Sequence, residues 1–185
     1  MRVIAGTARR LKLVTPEGMN TRPTGDQIKE TLFNMLMPYI YDDTRFLDLF
    51  AGSGQIGIEA LSRSAEYTCF CDNDRRSVEC IQENLVTTKL ADRARVIPGD
   101  CLSAVRQLKG GNFDIVFMDP PYDLGVEADV LRALDEGKVL ADDPLIVIEA
   151  RLDRNFSFVT ELGFDIIKEK EYKSSKHVFL KRKSN

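Results

Sequence analysis

The chain has 185 residues, 43% of them hydrophobic, enough for one domain with a real core and no need of a second. Its net charge of −3, from 26 basic against 29 acidic residues, argues against a general nucleic-acid binder. With no apolar run of bilayer-spanning length and no signal peptide at Met1-Arg2-Val3-Ile4, a cytoplasmic protein without membrane contact is expected.

Met1 to Thr15 alternates loosely around Gly6-Thr7-Ala8-Arg9 and reads as a β-hairpin. Residues 1–22 thus form a basic extension, with Arg2, Arg9, Arg10, Lys12 and Arg22 against Glu17, to a main domain over 23–185. Residues 168–185 hold seven more basic groups, Lys173 among them, against Glu169 and Glu171. Ends of +4 and +5 on a chain of −3 leave −12 between them. Basic ends on an acidic body offer a polyanion two footholds beside a site that prefers a cation, although terminal lysines also serve solubility alone.

After the polar loop Pro16 to Pro23, Thr24-Gly25-Asp26-Gln27 places an N-cap Thr three residues before Gln. The helix it opens has Ile28, Leu32, Met35 and Leu36 at helical spacing and closes at Pro38. From Arg45 strands and helices alternate. Strands are expected at Phe46 to Phe50, Tyr67 to Cys71, Arg95 to Ile97, Phe113 to Met118 and Leu145 to Glu149. Helices are expected at Ile56 to Leu61, Arg75 to Val86, Leu102 to Leu108 and Val126 to Glu136. This is an α/β run of βα units, hence a mostly parallel sheet with helices on both faces. A last helix near Asn155 to Leu162 is expected next, and then an antiparallel hairpin of Phe164 to Glu171 and His177 to Lys181 at the sheet edge. Cys69, Cys71, Cys80, Cys101 and the single His177 make no zinc spacing and are read as buried thiols and an isolated histidine, with no metal.

Gly52, Gly54 and Gly57 satisfy G-x-G-x-x-G between a strand and a helix, and Asp72 lies 20 positions beyond Gly52, where a ribose-binding carboxylate belongs. A nucleoside-bearing cofactor follows. Asp48, Asp72, Asp100 and Asp119 would gather at successive strand ends, where a pyrophosphate is repelled but the sulfonium and ammonium of S-adenosylmethionine are welcome. The apolar run Phe113 to Met118 ends in Asp119-Pro120-Pro121-Tyr122. Two prolines remove two donors, leaving the Asp119 carboxylate and the Pro120 carbonyl as acceptors for an amine beside an aromatic face at Tyr122. A turn after a core strand with a solvated Asp accounts for the isolated tetrapeptide equally well.

Asp48-Leu49-Phe50-Ala51-Gly52-Ser53-Gly54, Asp72, Asp100 and Asp119-Pro120-Pro121-Tyr122, in that order, resemble the motifs of Rossmann-like class I methyltransferases that act on exocyclic amines. Met1-Arg2-Val3-Ile4-Ala5-Gly6, Arg22-Pro23-Thr24, Asp26, Lys29-Glu30 and Leu32-Phe33-Asn34 narrow this: the full chain resembles the bacterial 16S rRNA guanine-N2 methyltransferase D family. The resemblance implies S-adenosylmethionine as cofactor. Asp48, Phe50, Ala51, Gly52, Ser53 and Gly54 would hold its methionine part, Asp72 and Asn73 its ribose, and Asp100 and Cys101 its adenine. Asp119, adjoining the cofactor, would with Pro120, Pro121 and Tyr122 take the target guanine. The implied partner is 16S rRNA or an assembling small subunit, met by a monomer through Arg2, Arg9, Arg10, Lys12, Arg22 and Lys173. Gln27 stands where the family commonly has Arg, and Lys173-Ser174-Ser175 where relatives often have a Gly and a Thr. Both departures lie where RNA would touch. The rival readings are adenine-N6 methylation of nucleic acid, a catalytically silent RNA-binding module, and a nicotinamide-dependent oxidoreductase, which finds no hydride-transfer partner near its glycine loop.

Overall fold

In the computed structural model, which describes residues 1–16 and 25–183, Gly25 precedes α1 (Asp26–Leu36), and Thr24 and Arg22 lie outside the described residues. The helix buries Leu32, Phe33 and Leu36 and passes into a 3₁₀ turn at Met37–Tyr39, where Pro38 can give no helical donor. The alternation then runs β1 (Arg45–Leu49), α2 (Gln55–Ser62), β2 (Tyr67–Asp72), α3 (Arg75–Thr88), β3 (Ala94–Pro98), α4 (Cys101–Gln107), β4 (Phe113–Met118), α5 (Glu127–Glu136) and β5 (Leu140–Ala150). It closes with β6 (Phe164–Glu171) and β7 (Lys176–Arg182).

One sheet of order β3-β2-β1-β4-β5-β7-β6 results. Strands β1 to β5 pair in parallel because helical crossovers return the chain, and β7 inserts antiparallel between β5 and β6. Alternate side chains serve opposite faces: Leu47, Leu49, Val116 and Met118 pack toward α4 and α5, and Phe46, Ile115 and Phe117 toward α1 and α2. The mostly parallel sheet with both faces covered is the one expected. No helix among the described residues is long and apolar enough to cross a membrane.

Two expectations need correction. In place of a helix over Asn155 to Leu162 there is only a 3₁₀ turn, Ser157–Thr160, because Asn155 turns its carboxamide oxygen onto the Ser157 N–H and Gly163 (φ 83°) ends the turn. Strand β5 starts at Leu140, five residues early: the polar Asp142-Asp143-Pro144 hides its beginning, and its pairing with β4 shifts register between Phe113 and Ile115.

The N-terminal segment makes a single antiparallel bridge, Arg2 to Lys12, rather than a ladder. It buries Val3, Ala8 and Leu13 against Ile58 and Leu61 of α2 and Ile81 and Leu85 of α3. Gly6 (φ 81°) lies so close to α2 that a Cβ would sit 1.7 Å from the Ser62 carbonyl oxygen. The clamp is electrostatic. The fully buried Glu59 accepts from the backbone N–H of Ile4 (2.8 Å) and Ala5 (2.9 Å) and from Arg63 Nε (2.8 Å), with Lys29 Nζ of α1 at 3.5 Å. Lys29 also donates to the Arg2 carbonyl at 2.6 Å. Burial pulls the Lys29 ammonium below its usual range, and Glu59 opposes the pull.

Removing one partner of such a pair strands the other charge. Glu59→Ala should therefore cost on the order of 3–5 kcal/mol in chemical denaturation and release residues 1–16 to limited proteolysis before the body. Lys29→Met with Glu59→Gln together should cost less than Glu59→Ala alone. Equal or smaller loss in the single variant would show that the buried pair does not anchor the segment.

Candidate active site

The sheet order reverses at β1, whose neighbours are β2 on one side and β4 on the other, so a crevice opens above their C-terminal ends. Asp48 stands in that crevice, 1% exposed, and one carboxylate oxygen accepts from the Gly57 N–H of α2 at 2.8 Å. Burial, with repulsion from Asp72 and Asp119 added, holds its carboxyl well above the ordinary carboxylate range, against the opposing hydrogen bond from Gly57. Gly57 allows the approach: a Cβ there would stand 2.3 Å from the Phe70 ring. This is the close helix-on-sheet contact that the third glycine of the fingerprint provides.

Asp72, at the end of β2, braces the loop. Its two oxygens accept from the backbone N–H of Gly52 (2.8 Å) and Asp74 (2.9 Å), and burial raises its carboxyl as well. The lone pairs that remain can take hydroxyls, that of the buried Ser77 being one within reach. Asp100 is exposed and caps α4 by accepting from the Ser103 N–H at 3.0 Å, and the Ser103 hydroxyl together with this N–H lowers its carboxyl. Cys101 is buried beside it. The thiols of Cys69 and Cys71 are free, buried and pushed up to about 12 by burial, and the Cys101 thiol is also pushed up.

Two cavities share the wall formed by Phe50, Asp72 and Asn73. The first, about 260 Å³, is lined by Asp48, Ala51, Gly52, Ser53, Gln55, Phe117, Asp119 and Pro121, and by Met1, whose sulfur takes the Ser53 hydroxyl at 3.4 Å. Gln55 Oε1 is buried there with no hydrogen-bond partner among the described residues, an acceptor waiting for a donor. The second, about 270 Å³, is lined by Cys71, Gly99, Asp100, Cys101, Leu102, Leu124, Val126 and Val130. An acidic compartment with a spare acceptor, joined at a ribose-height carboxylate to an apolar slot, fits a cationic amino acid linked to an adenosine. Gly54, in the left-handed conformation, ends the loop at the N-terminus of α2.

A third cavity, about 300 Å³, lies on the β5 side and is lined by Pro120, Tyr122, Glu127, Glu149, Ala150, Arg151, Asp153, Arg154 and Asn155. The Asp119-Pro120-Pro121-Tyr122 turn thus alternates: Asp119 and Pro121 line the acidic cavity, and Pro120 and Tyr122 the β5-side one. The turn divides the two spaces instead of enclosing a single one.

The basic residues are spread more widely. Arg9 and Arg10 are exposed on a turn bound to Ser62, at the end of α2 remote from the glycine loop. Lys12 is exposed, and Arg2 pairs with Asp26 at 2.8 Å. Lys173 is exposed in the β6–β7 turn, at the same sheet edge as the crevice, because Lys176 lies opposite Ala150. Lys176, Lys181 and Arg182 pair with Glu169, Asp143 and Asp135, so three of the seven C-terminal basic residues already face carboxylates, and Lys168, Lys170, Lys173 and Lys183 are the ones left for a polyanion. Met1, Gln55, Phe117, Val126, Val130 and Glu149 line the cavities without having been anticipated. Gln55 adjoins the fingerprint and was open to discovery from it; Met1 and Glu149 reach the crevice only through tertiary packing.

The model of the family described as conserved hypothetical protein 95 matches residues 1–181. The ribosomal RNA small subunit methyltransferase D of Escherichia coli K12 is 40% identical over 86% of this chain and 79% of its own. That of Haemophilus influenzae is 38% identical over 92% of this chain and 88% of its own. The solved structure of Escherichia coli yhhF superposes with a TM-score of 0.88 at 36% identity, covering 100% of this chain and 99% of that one. The chain belongs to the conserved hypothetical protein 95 family, alongside the ribosomal RNA small subunit methyltransferases D.

Proposed function

We propose that the protein methylates the exocyclic N2 amine of a guanine in 16S rRNA, as a monomer acting on the RNA or on an assembling small subunit. The observation that carries the reading is the position of Asp119-Pro120-Pro121-Tyr122 between the acidic cavity and the β5-side cavity. A cofactor on one side and a flipped base on the other meet only at this turn. The names of the relatives support ribosomal RNA of the small subunit as the substrate.

When bound, S-adenosylmethionine supplies an electrophilic methyl group on a sulfonium. Asp48, the loop Phe50 to Gly54 and Gln55 Oε1 would hold its methionine end, Asp72 and Asn73 the ribose, and Asp100 and Cys101 the adenine, with Leu102, Val126 and Val130 as the apolar walls of the slot. Tyr122 would stack the guanine. The Asp119 carboxylate and the Pro120 carbonyl accept hydrogen bonds from the amine, hold its nitrogen toward the acidic cavity, and stabilise positive charge as it develops there. Lys173 would neutralise backbone phosphates near the base, and Arg2, Arg9, Arg10, Lys12 and Arg22 phosphates farther along the RNA.

Single-turnover methyl transfer to small-subunit rRNA, with the product nucleoside identified by mass spectrometry, should give N2-methylguanosine. Asp119→Ala should lower the rate at least about a hundredfold, because both orientation and charge stabilisation are lost. Tyr122→Phe should remain active. An Asp119→Ala protein at near wild-type rate would take that carboxylate out of the chemistry.

Asp48 gives a test on stability and binding together. Its carboxyl titrates higher in the folded than in the unfolded protein, so ionisation costs stability above the folded pKa, and the cost fades as pH falls toward the ordinary carboxylate range. Asp48→Asn keeps an acceptor for Gly57 and removes the charge. In thermal denaturation without ligand the variant should be at least as stable as wild type at neutral pH, with the difference closing on acidification. Calorimetry should show its affinity for S-adenosylmethionine reduced at least about tenfold, since each 1.4 kcal/mol of lost charge attraction is a factor of ten. Unchanged affinity would place the cation elsewhere.

A further inference from the structure

We propose that Glu149 reads the Watson–Crick edge of the target base and is the residue that selects guanine. The proposal rests on the reading that the target is a nucleobase amine held at Asp119. Glu149 lies near the end of β5, adjacent to β4, and lines the same cavity as Pro120 and Tyr122. Its side chain is only 7% exposed. One oxygen, Oε2, is tied to His177 Nε2 at 3.1 Å, and the fully buried His177 is tied in turn through Nδ1 to the Tyr172 hydroxyl at 3.0 Å. A carboxylate can only accept, so in the neutral ring Nε2–H donates to Glu149 and Nδ1 accepts from the Tyr172 hydroxyl. The second oxygen, Oε1, makes no hydrogen bond among the described residues.

A carboxylate oxygen that opens onto an aromatic-edged cavity is placed to take a donor from whatever enters it. The exocyclic amines of the bases differ in the ring nitrogen beside them. In guanine, N1 next to the 2-amine carries a hydrogen; in adenine and cytosine, the ring nitrogen next to the amine is a bare lone pair. With the amine at Asp119, the adjoining ring nitrogen lies further into the β5-side cavity, toward Glu149. Guanine supplies the donor that Oε1 lacks. Adenine or cytosine would set lone pair against carboxylate and leave both groups unsatisfied, and sites built this way reject the wrong partner strongly. The same cavity holds Asn155, whose carboxamide oxygen is spent on Ser157 and whose NH₂ is a donor of the kind that guanine O6 accepts.

The test uses small-subunit rRNA ligated around a synthetic segment, with guanine or 2-aminopurine at the nucleotide that the wild-type enzyme methylates. 2-Aminopurine keeps the 2-amine, replaces N1–H by a lone pair and also lacks O6, a loss common to wild type and Glu149 variants, so the change in the ratio on substituting Glu149 reports on N1. Wild type should favour guanine by at least about tenfold in kcat/KM, the scale of one well-made base-edge contact. Glu149→Gln, whose amide can turn a donor to N1, should shrink that ratio at least threefold (~0.5 log unit), and Glu149→Ala, which removes the repulsion, should shrink it too. A merely structural role would depress transfer to both bases alike and leave the ratio standing, which would overturn the proposal. Equal transfer to the two bases by the wild type would overturn it with no variant needed. Failure of the underlying reading is separately visible, as a wild-type product other than N2-methylguanosine.

Discussion

The site depends on one constraint, the reversal of strand order at β1. Strands β2 and β3 are laid down on one side of it, and β4 and β5 on the other, so the helices following β1 and β4 leave in opposite senses and cannot cover the crest between them. A crevice must open there. Whatever residues end β1, β2 and β4 must line it, and in this chain they are Asp48, Asp72 and Asp119. The glycines follow from the same constraint: α2 has to start close enough for the Gly57 N–H to reach Asp48, and any side chain at 57 would strike Phe70.

Buried carboxylates are costly to the protein: burial raises the carboxyls of Asp48 and Asp72, and at Asp48 repulsion from Asp72 and Asp119 adds to it. Such a cost persists where a cation is to be met, and it excludes a pyrophosphate from the same spot. The clamp at Glu59 supplies the fourth wall. By fixing Ile4 and Ala5 to α2, it sets the start of the chain over the glycine loop, where Met1 meets Ser53. The N-terminal segment is thereby part of the wall of the acidic cavity as well as a carrier of basic residues, and the deeper anchoring charges, Lys29 and Arg63, are spent inside the fold.

Much of this was legible in the sequence, because parallel strands between covering helices print long apolar runs, and fingerprint glycines print their spacing. The order of the carboxylates along the crevice, Asp100, Asp72, Asp48 and Asp119, differs from their order along the chain because the strand order reverses at β1. The misses have physical causes. The start of β5 was hidden by Asp142, Asp143 and Pro144, which break the apolar pattern without breaking the strand. The apparent helix after Asn155 was apolar periodicity with too little chain before Gly163 to propagate. Glu149 looked like the polar end of an apolar strand. Its pairing with His177 spans 28 residues, which only the antiparallel insertion of β7 beside β5 creates. The C-terminal basic run read as a foothold for RNA; strand register sets several of its members against carboxylates instead.

The central claim is that the crevice at the β1 reversal is built for a positively charged, phosphate-free nucleoside. Calorimetric titration of the full chain with S-adenosylmethionine and, in parallel, with NAD tests it most directly. The account predicts saturable binding of the methyl donor and no detectable heat from NAD. Saturable NAD binding with no response to S-adenosylmethionine would contradict it.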